Sequence, residues 1–185
     1  MFNPTARFAD AVAFATAAHA GQLRKYSGRP YIEHPVAVAR MTSRFVHDED
    51  MLLAAVLHDT VEDTPVTIEA VAQAFGEPVA MLVADLTDVS RLSDGNRAVR
   101  KRLDLAHTAA GDPRAKTVKL MDLVHNCVSI VRHDAGFAGQ FLSEVQAMLA
   151  VLHDASDPAA WALAQRIHVR SCARRERRRL DAALR

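Results

Sequence analysis

The chain has little of what would mark most alternatives to a soluble helical protein. Its two cysteines, Cys127 and Cys172, make no Cys-x-x-Cys pair and no disulfide framework, so a reducing cytoplasm is the expected setting. No uninterrupted apolar run approaches the roughly 20 residues of a membrane span, so no membrane partner is expected. Asp10 falls where a secretory signal would need an apolar core. Segments of strictly alternating, β-branched character are missing as well, which argues against a sheet. Aromatic residues are only 5% of the chain and none is interleaved with the basic C-terminus.

What is present reads as helix. Asn3-Pro4, Asp112-Pro113 and Asp157-Pro158 each put an N-cap residue before a Pro at the first helical position. Gly21, Gly76 and Gly136 fall where helices would stop. Apolar residues recur at three and four between these marks, as at Leu142, Val145, Leu149 and Leu152. The spacing predicts helices over 4–20, 34–46, 49–60, 67–75, 77–87, 95–110, 113–133, 137–154 and 157–181. Two denser loops interrupt them, at 21–32 and 87–97. At 185 residues, with half of them hydrophobic, the expectation is one all-α domain over 1–185 that can bury a real core.

Net charge is +1 but unevenly spread. Residues 166–185 hold eight Arg against Glu176 and Asp181, leaving 15 basic and 20 acidic groups in the rest. Without aromatic residues to stack on bases, this tail reads as a solvated helix, and nucleic acid is not expected as a partner.

One apolar run ends against an unusual group of ionisable residues. After Met51–Leu57 come His58, Asp59, Glu62 and Asp63, in V-L-H-D-T-V-E-D-T-P. Buried imidazoles and carboxylates are costly unless paired or bound to a metal. On a helix, His58 and Asp59 lean toward one edge, and a further turn brings Glu62 and Asp63 over the same site. Two more candidates lie elsewhere. His34 precedes Pro35 at a helix start, and Asp122 interrupts an apolar stretch where it shares a helical face with Lys119 and Asn126. Two imidazoles and two carboxylates suit manganese, iron, cobalt or zinc better than calcium, and leave positions open for water and substrate. The other histidines, His19, His47, His107, His133, His153 and His168, are expected at surfaces or caps. His125 stands beside Asp122.

These residues resemble those of the HD-domain phosphohydrolases, and more narrowly the hydrolase domain of the Rel/SpoT alarmone enzymes and the stand-alone small alarmone hydrolases. The resemblance rests on A-H-A-G-Q-L-R-K-Y-S-G-R-P-Y-I-E-H-P (18–35), H-D-T-V-E-D-T (58–64), F-G-E-P-V-A-M-L-V-A-D-L-T-D (75–88), R-K-R-L (100–103) and K-T-V-K-L-M-D-L-V-H-N (116–126). It implies an HD-domain helical bundle with His34, His58, Asp59 and Asp122 as ligands of one Mn2+ between central helices. It also implies a 3′-pyrophosphohydrolase that converts (p)ppGpp, or a closely related alarmone, to GDP or GTP plus pyrophosphate. Glu62 and Asp63 would then manage the attacking water, and Arg24, Lys25, Ser27, Asn126 and Lys101 would contact the nucleotide. The alternatives are another nucleotide substrate, such as (p)ppApp, or a nucleotide phosphatase or phosphodiesterase. Tyr26 lengthens the 21–32 loop by one residue relative to the long enzymes, Val128 stands where the family commonly has Arg, and Met121 replaces a common Ala. About 50 residues follow Arg132, room for two helices (137–185, ending in the basic tail), so degradation of alarmone without synthesis is expected. A homo-oligomer is compatible with all of this.

Overall fold

The structure is a computed structural model and describes residues 4–184. It is helical throughout: α1 (Ala6–Ala18), α2 (Glu33–Thr42), α3 (Glu49–Leu57), α4 (Thr60–Asp63), α5 (Ile68–Phe75), α6 (Glu77–Leu86), α7 (Arg97–Ala110), α8 (Pro113–His133), α9 (Ala135–Val151) and α10 (Pro158–Ala183), with a 3-10 turn at Leu92–Asp94. Among the described residues the only strand-like pairing is an isolated bridge between Leu23 and Pro30 that closes the 21–32 loop. No helix among them is long and apolar enough to cross a membrane.

Two helices organise the core. Met51 and the run Leu53–Leu57 of α3 are all buried, because a helix apolar on every side must be enclosed, here by α1, α2, α6 and α8. The long α8 packs against α2, α3, α6, α9 and α10, and buries Val118, Leu120, Met121 and Val124. His34 and Asp122 are therefore carried on α2 and α8, and His58 and Asp59 follow directly on the end of α3, where these three helices meet.

Capping chemistry explains most boundaries, and several differ from the sequence expectation. Thr5, not Asn3, caps α1, its hydroxyl accepting from Phe8 N at 3.1 Å, and Asn3 lies outside the described residues. Gly136 does not stop a helix but lies in the first turn of α9. Asp134 ends α8 and caps α9, accepting from Phe137 N at 3.0 Å. Gly21 and Gly76 do sit at stops, with φ of +80° and +92°, conformations that L side chains resist. His168, expected at a surface, is buried where α10 lies on α9 and contacts the Leu142 carbonyl through Nε2 at 3.0 Å.

The predicted helix 49–60 breaks at its functional end. α3 stops at Leu57, and the chain turns at His58 and Asp59 into the single turn α4. Side chains serve the carbonyls freed there: His58 Nδ1 contacts Ala55 O at 2.9 Å and Thr60 Oγ1 donates to Leu57 O at 2.6 Å.

Lys116, only 4% exposed, donates from Nζ to Ala109 O at 2.8 Å and to both Asp154 oxygens at 2.9 and 2.8 Å. It thereby holds the end of α7 to the loop after α9. Asp154→Ala leaves this ammonium buried with one neutral acceptor and is expected to cost about 2 kcal/mol in urea unfolding. Lys116→Met added to Asp154→Ala should recover most of that loss.

Candidate metal centre

His34 lies in the first turn of α2, His58 and Asp59 at the break after α3, and Asp122 midway along α8. His34 Nε2 is 3.1 Å from Asp122 Oδ1 and 3.4 Å from Asp59 Oδ2. His58 Nε2 is 3.1 Å from Asp59 Oδ2 and 3.8 Å from Asp122 Oδ1. Both imidazoles are almost wholly buried, while the carboxylates keep a narrow opening to solvent. Donor atoms of His34, His58 and Asp59 all lie within 4.8 Å of one another, as metal ligands would.

The proton count at His58 shows what the cluster fits. A carbonyl accepts only from an N–H, so His58 Nδ1, 2.9 Å from Ala55 O, carries the hydrogen. In the neutral ring Nε2 is then a lone pair. It is buried without a hydrogen-bond partner, since Asp59 Oδ2 at 3.1 Å lies outside hydrogen-bond geometry. A buried ring nitrogen facing two carboxylates calls for positive charge, met by a proton on the ring or by a metal ion in the proton's place. Burial alone would lower the His58 pKa, yet the charges of Asp59 and Asp122 raise it well above the ordinary imidazole value. Burial would likewise raise both carboxylates, but the histidines hold Asp59 down at about 2 and Asp122 well below the ordinary range. Two imidazole nitrogens and two ionised carboxylates fit a divalent metal.

His34 gains its outer partner from a residue the sequence only placed nearby. Its Nδ1 lies 2.8 Å from His125 Nδ1, so one ring must donate to the other. Burial, then the neighbouring His34 and Arg24, push His125 down to about 4, so it is neutral at pH 7. With His34 Nδ1–H donating to His125, His34 Nε2 is left as a ligand lone pair, the orientation that outer partners commonly impose on metal-binding histidines. Asp122 is held in turn by Asn126 Nδ2, donating to Oδ1 at 2.7 Å, and Arg24 Nη2 donates to Asn126 Oδ1 at 3.1 Å.

Glu62 and Asp63 diverge instead of sharing one wall, because the break at His58–Asp59 re-aims the turn that carries them. Glu62 Oε2 accepts from Asp88 N at 3.3 Å and lines a cavity of about 370 Å³ with Asp88, Arg97, Arg100 and Lys101. Asp63 faces the side of Tyr31 and His19. Both tips stay open to solvent, yet crowding raises them: desolvation first for each, then Asp88 for Glu62 and Asp59 for Asp63. Desolvation would lower the pKa of the half-buried Lys119, but the charges of Asp122, Asp88 and Glu62 raise it.

The remaining sequence candidates are placed unevenly. Lys101 is on the cavity wall, paired to Asp88 at 2.7 Å and Asp104 at 3.4 Å. Lys25 reaches Asp134 at 3.0 Å, which a rise of about 1.5 Å per residue puts roughly 18 Å along α8 from Asp122. Ser27 Oγ accepts from Arg29 N at 3.4 Å within its own loop. Neither Lys25 nor Ser27 joins the cluster.

The chain is similar to known proteins over most of its length. The HD domain family matches residues 11–152. Human guanosine-3′,5′-bis(diphosphate) 3′-pyrophosphohydrolase MESH1 is 40% identical over 129 residues, which are 68% of this chain and 70% of the human protein. A probable GTP pyrophosphokinase of Mycobacterium leprae is 45% identical over 109 residues, 58% of this chain but 14% of that much longer protein. The solved structure of a metazoan ortholog of SpoT, described as hydrolysing ppGpp, superposes with a TM-score of 0.77 at 28% identity, covering 90% of this chain and 97% of the other.

Proposed function

The chain belongs to the HD-domain family, and on that premise we propose that it is a metal-dependent hydrolase that removes the 3′-diphosphate of (p)ppGpp, releasing pyrophosphate and GDP or GTP. The observation that carries the reading is the buried His58 Nε2, a ring nitrogen without a hydrogen-bond partner set against Asp59 and Asp122, with His34 beside it. The human relative, of which the chain spans 70%, is named for this reaction.

His34, His58, Asp59 and Asp122 would hold the ion, which we assign as manganese. When bound, it supplies Lewis acidity, drawing charge from the phosphoryl group under attack and acidifying water. The residues of the chain do the rest. Glu62, its Oε2 engaged by Asp88 N, has Oε1 free to take the proton of the attacking water, and a raised pKa suits a carboxylate to that role. Asp63, which diverges from Glu62, would orient that water from the opposite, Tyr31 side, so that the two carboxylates bracket it instead of sharing a wall. The bond between phosphorus and the 3′-oxygen breaks, the 3′-oxygen takes up a proton, and pyrophosphate leaves.

Arg24 and Asn126 bind the nucleoside next to Asp122, and Lys101 faces the phosphates from the cavity wall. Lys25 and Ser27 sit on the same loop as Arg24, and Lys25 reaches the nucleotide once its exposed pair with Asp134 opens, a small cost for a surface pair. Loss of a charge-assisted contact is worth about 1.5–3 kcal/mol. Arg24→Ala should therefore raise KM for ppGpp more than about tenfold with kcat little changed, in steady-state assays of pyrophosphate release.

The reading is tested by product analysis of manganese-loaded protein given ppGpp, ppApp and ordinary nucleoside di- and triphosphates. Pyrophosphate and GDP from ppGpp are expected. Release from ppApp alone would move the substrate to the adenosine alarmone, and release from neither would overturn the assignment.

A further inference from the structure

We infer that Tyr31 is a positioning residue for Asp59: its hydroxyl, held in place by a His19–Gln22 clamp, fixes the orientation in which that carboxylate meets the metal. The inference rests on the metal reading above but concerns residues to which that reading assigns no role.

Asp59 needs such help because of where the chain puts it. It lies beyond the end of α3, at the break, and its side chain makes no cap hydrogen bond. Its Oδ2 is the atom that faces both ligand imidazoles, and Tyr31 donates to that same Oδ2 at 2.8 Å. A carboxylate oxygen has two lone pairs, so one can serve the phenol while the other serves the ion. A phenol is protonated at neutral pH and a carboxylate oxygen only accepts, so the hydroxyl is the donor of this bond.

The ring that carries this hydroxyl is gripped on several sides. The His19 ring is 4.7 Å away and tilted by 34°, the His34 ring meets it edge-on at 5.9 Å, and the Arg24 guanidinium lies 5.5 Å from its centre. His19 is itself locked. Gln22 Nε2 donates to Asp63 O at 3.0 Å, which leaves Oε1 as the atom 2.8 Å from His19 Nδ1, so Nδ1 must carry the hydrogen. The far nitrogen of His19 is buried with no partner. An imidazole kept 3% exposed with one nitrogen unpaired contributes here through its face, against Tyr31. The Gln22 bond ends on the turn carrying Asp63, so one network fixes Tyr31, Asp59 and Asp63 relative to one another.

Tyr31→Phe removes the hydroxyl and keeps the ring. Outer-shell partners of metal ligands are worth about 10–100-fold in affinity or rate. Calorimetric titration of the full chain with manganese should show Kd weakened about tenfold or more, while metal-free Tm stays within about 2 °C. With saturating manganese and ppGpp, kcat should fall by a similar factor and KM stay within about twofold. Gln22→Leu, which frees His19 but keeps the phenol, should weaken manganese binding in the same direction by a smaller factor. Manganese Kd and kcat both within twofold of wild type in Tyr31→Phe would overturn the inference, and unchanged affinity in Gln22→Leu would remove the clamp from it. Should wild-type protein bind manganese yet leave ppGpp intact, the substrate reading fails, and the manganese Kd values still decide the role of Tyr31.

Discussion

Asp59→Ala is expected to abolish both manganese retention and pyrophosphate release, the latter by more than about 10³-fold, since metal stabilisation of a phosphoryl-transfer transition state is worth several kcal/mol. Asp59 Oδ2 is the oxygen that approaches both His34 and His58, so its loss opens the cluster to both rings at once. A thermal readout separates this from a general defect. A ligand at about 100 times its Kd stabilises a folded protein by roughly 2.7 kcal/mol, which for a chain of this length is about 5–10 °C in Tm. Wild-type protein should show that rise on adding manganese and Asp59→Ala should not, although both fold without metal. Inductively coupled plasma analysis of the purified variant should find no stoichiometric ion. Turnover equal to wild type in Asp59→Ala would sink the ligand assignment.

Glu62→Gln is expected to give the opposite pattern: manganese affinity within about threefold of wild type, with kcat down by about 10²-fold or more, the usual scale for a lost general base. The separation is expected because Glu62 is not among the donor atoms that converge on His34 and His58, and points instead into the cavity with Asp88 and Lys101. The amide keeps the side-chain oxygen that accepts from Asp88 N, so the wall stays in place. What is lost is the ability to hold a proton. Asp63→Asn should cost less, because Asp63 faces Tyr31 and His19 and is assigned to orient the water, not to deprotonate it.

How much of this was legible in the sequence depended on the distance over which each feature is decided. The helical class and several helix starts are local matters: Asp112 and Asp157 cap their own helices through bonds two or three residues away, whereas Asp134, which caps α9 in the same way, was hidden by Gly136, which reads as a stop. The polar residues His58, Asp59 and Asp122 stood out because each interrupts an apolar run. Their convergence could be argued from the cost of burying them unpaired. The break after Leu57 was not legible, because His58 and Thr60 side chains replace backbone donors there and no propensity scale registers that exchange. Long-range pairings were equally silent. His125 meets His34 across 91 positions and Arg24 meets Asn126 across 102, and only tertiary packing brings such residues together. The same holds for Lys25, whose turn toward Asp134 depends on the path of the 21–32 loop over the end of α8. His19 and His168 carried no carboxylate at ligand spacing, and nothing in their neighbourhoods announced that both are buried.

The most direct test of the central claim is pyrophosphate release from ppGpp by chelator-stripped protein, followed as manganese is titrated back. A metal held by His34, His58, Asp59 and Asp122 predicts no release from the stripped chain and recovery that saturates at one ion per chain, with pyrophosphate and GDP as the products. Release that continues undiminished in excess chelator, or recovery that yields inorganic phosphate instead of pyrophosphate, would contradict it.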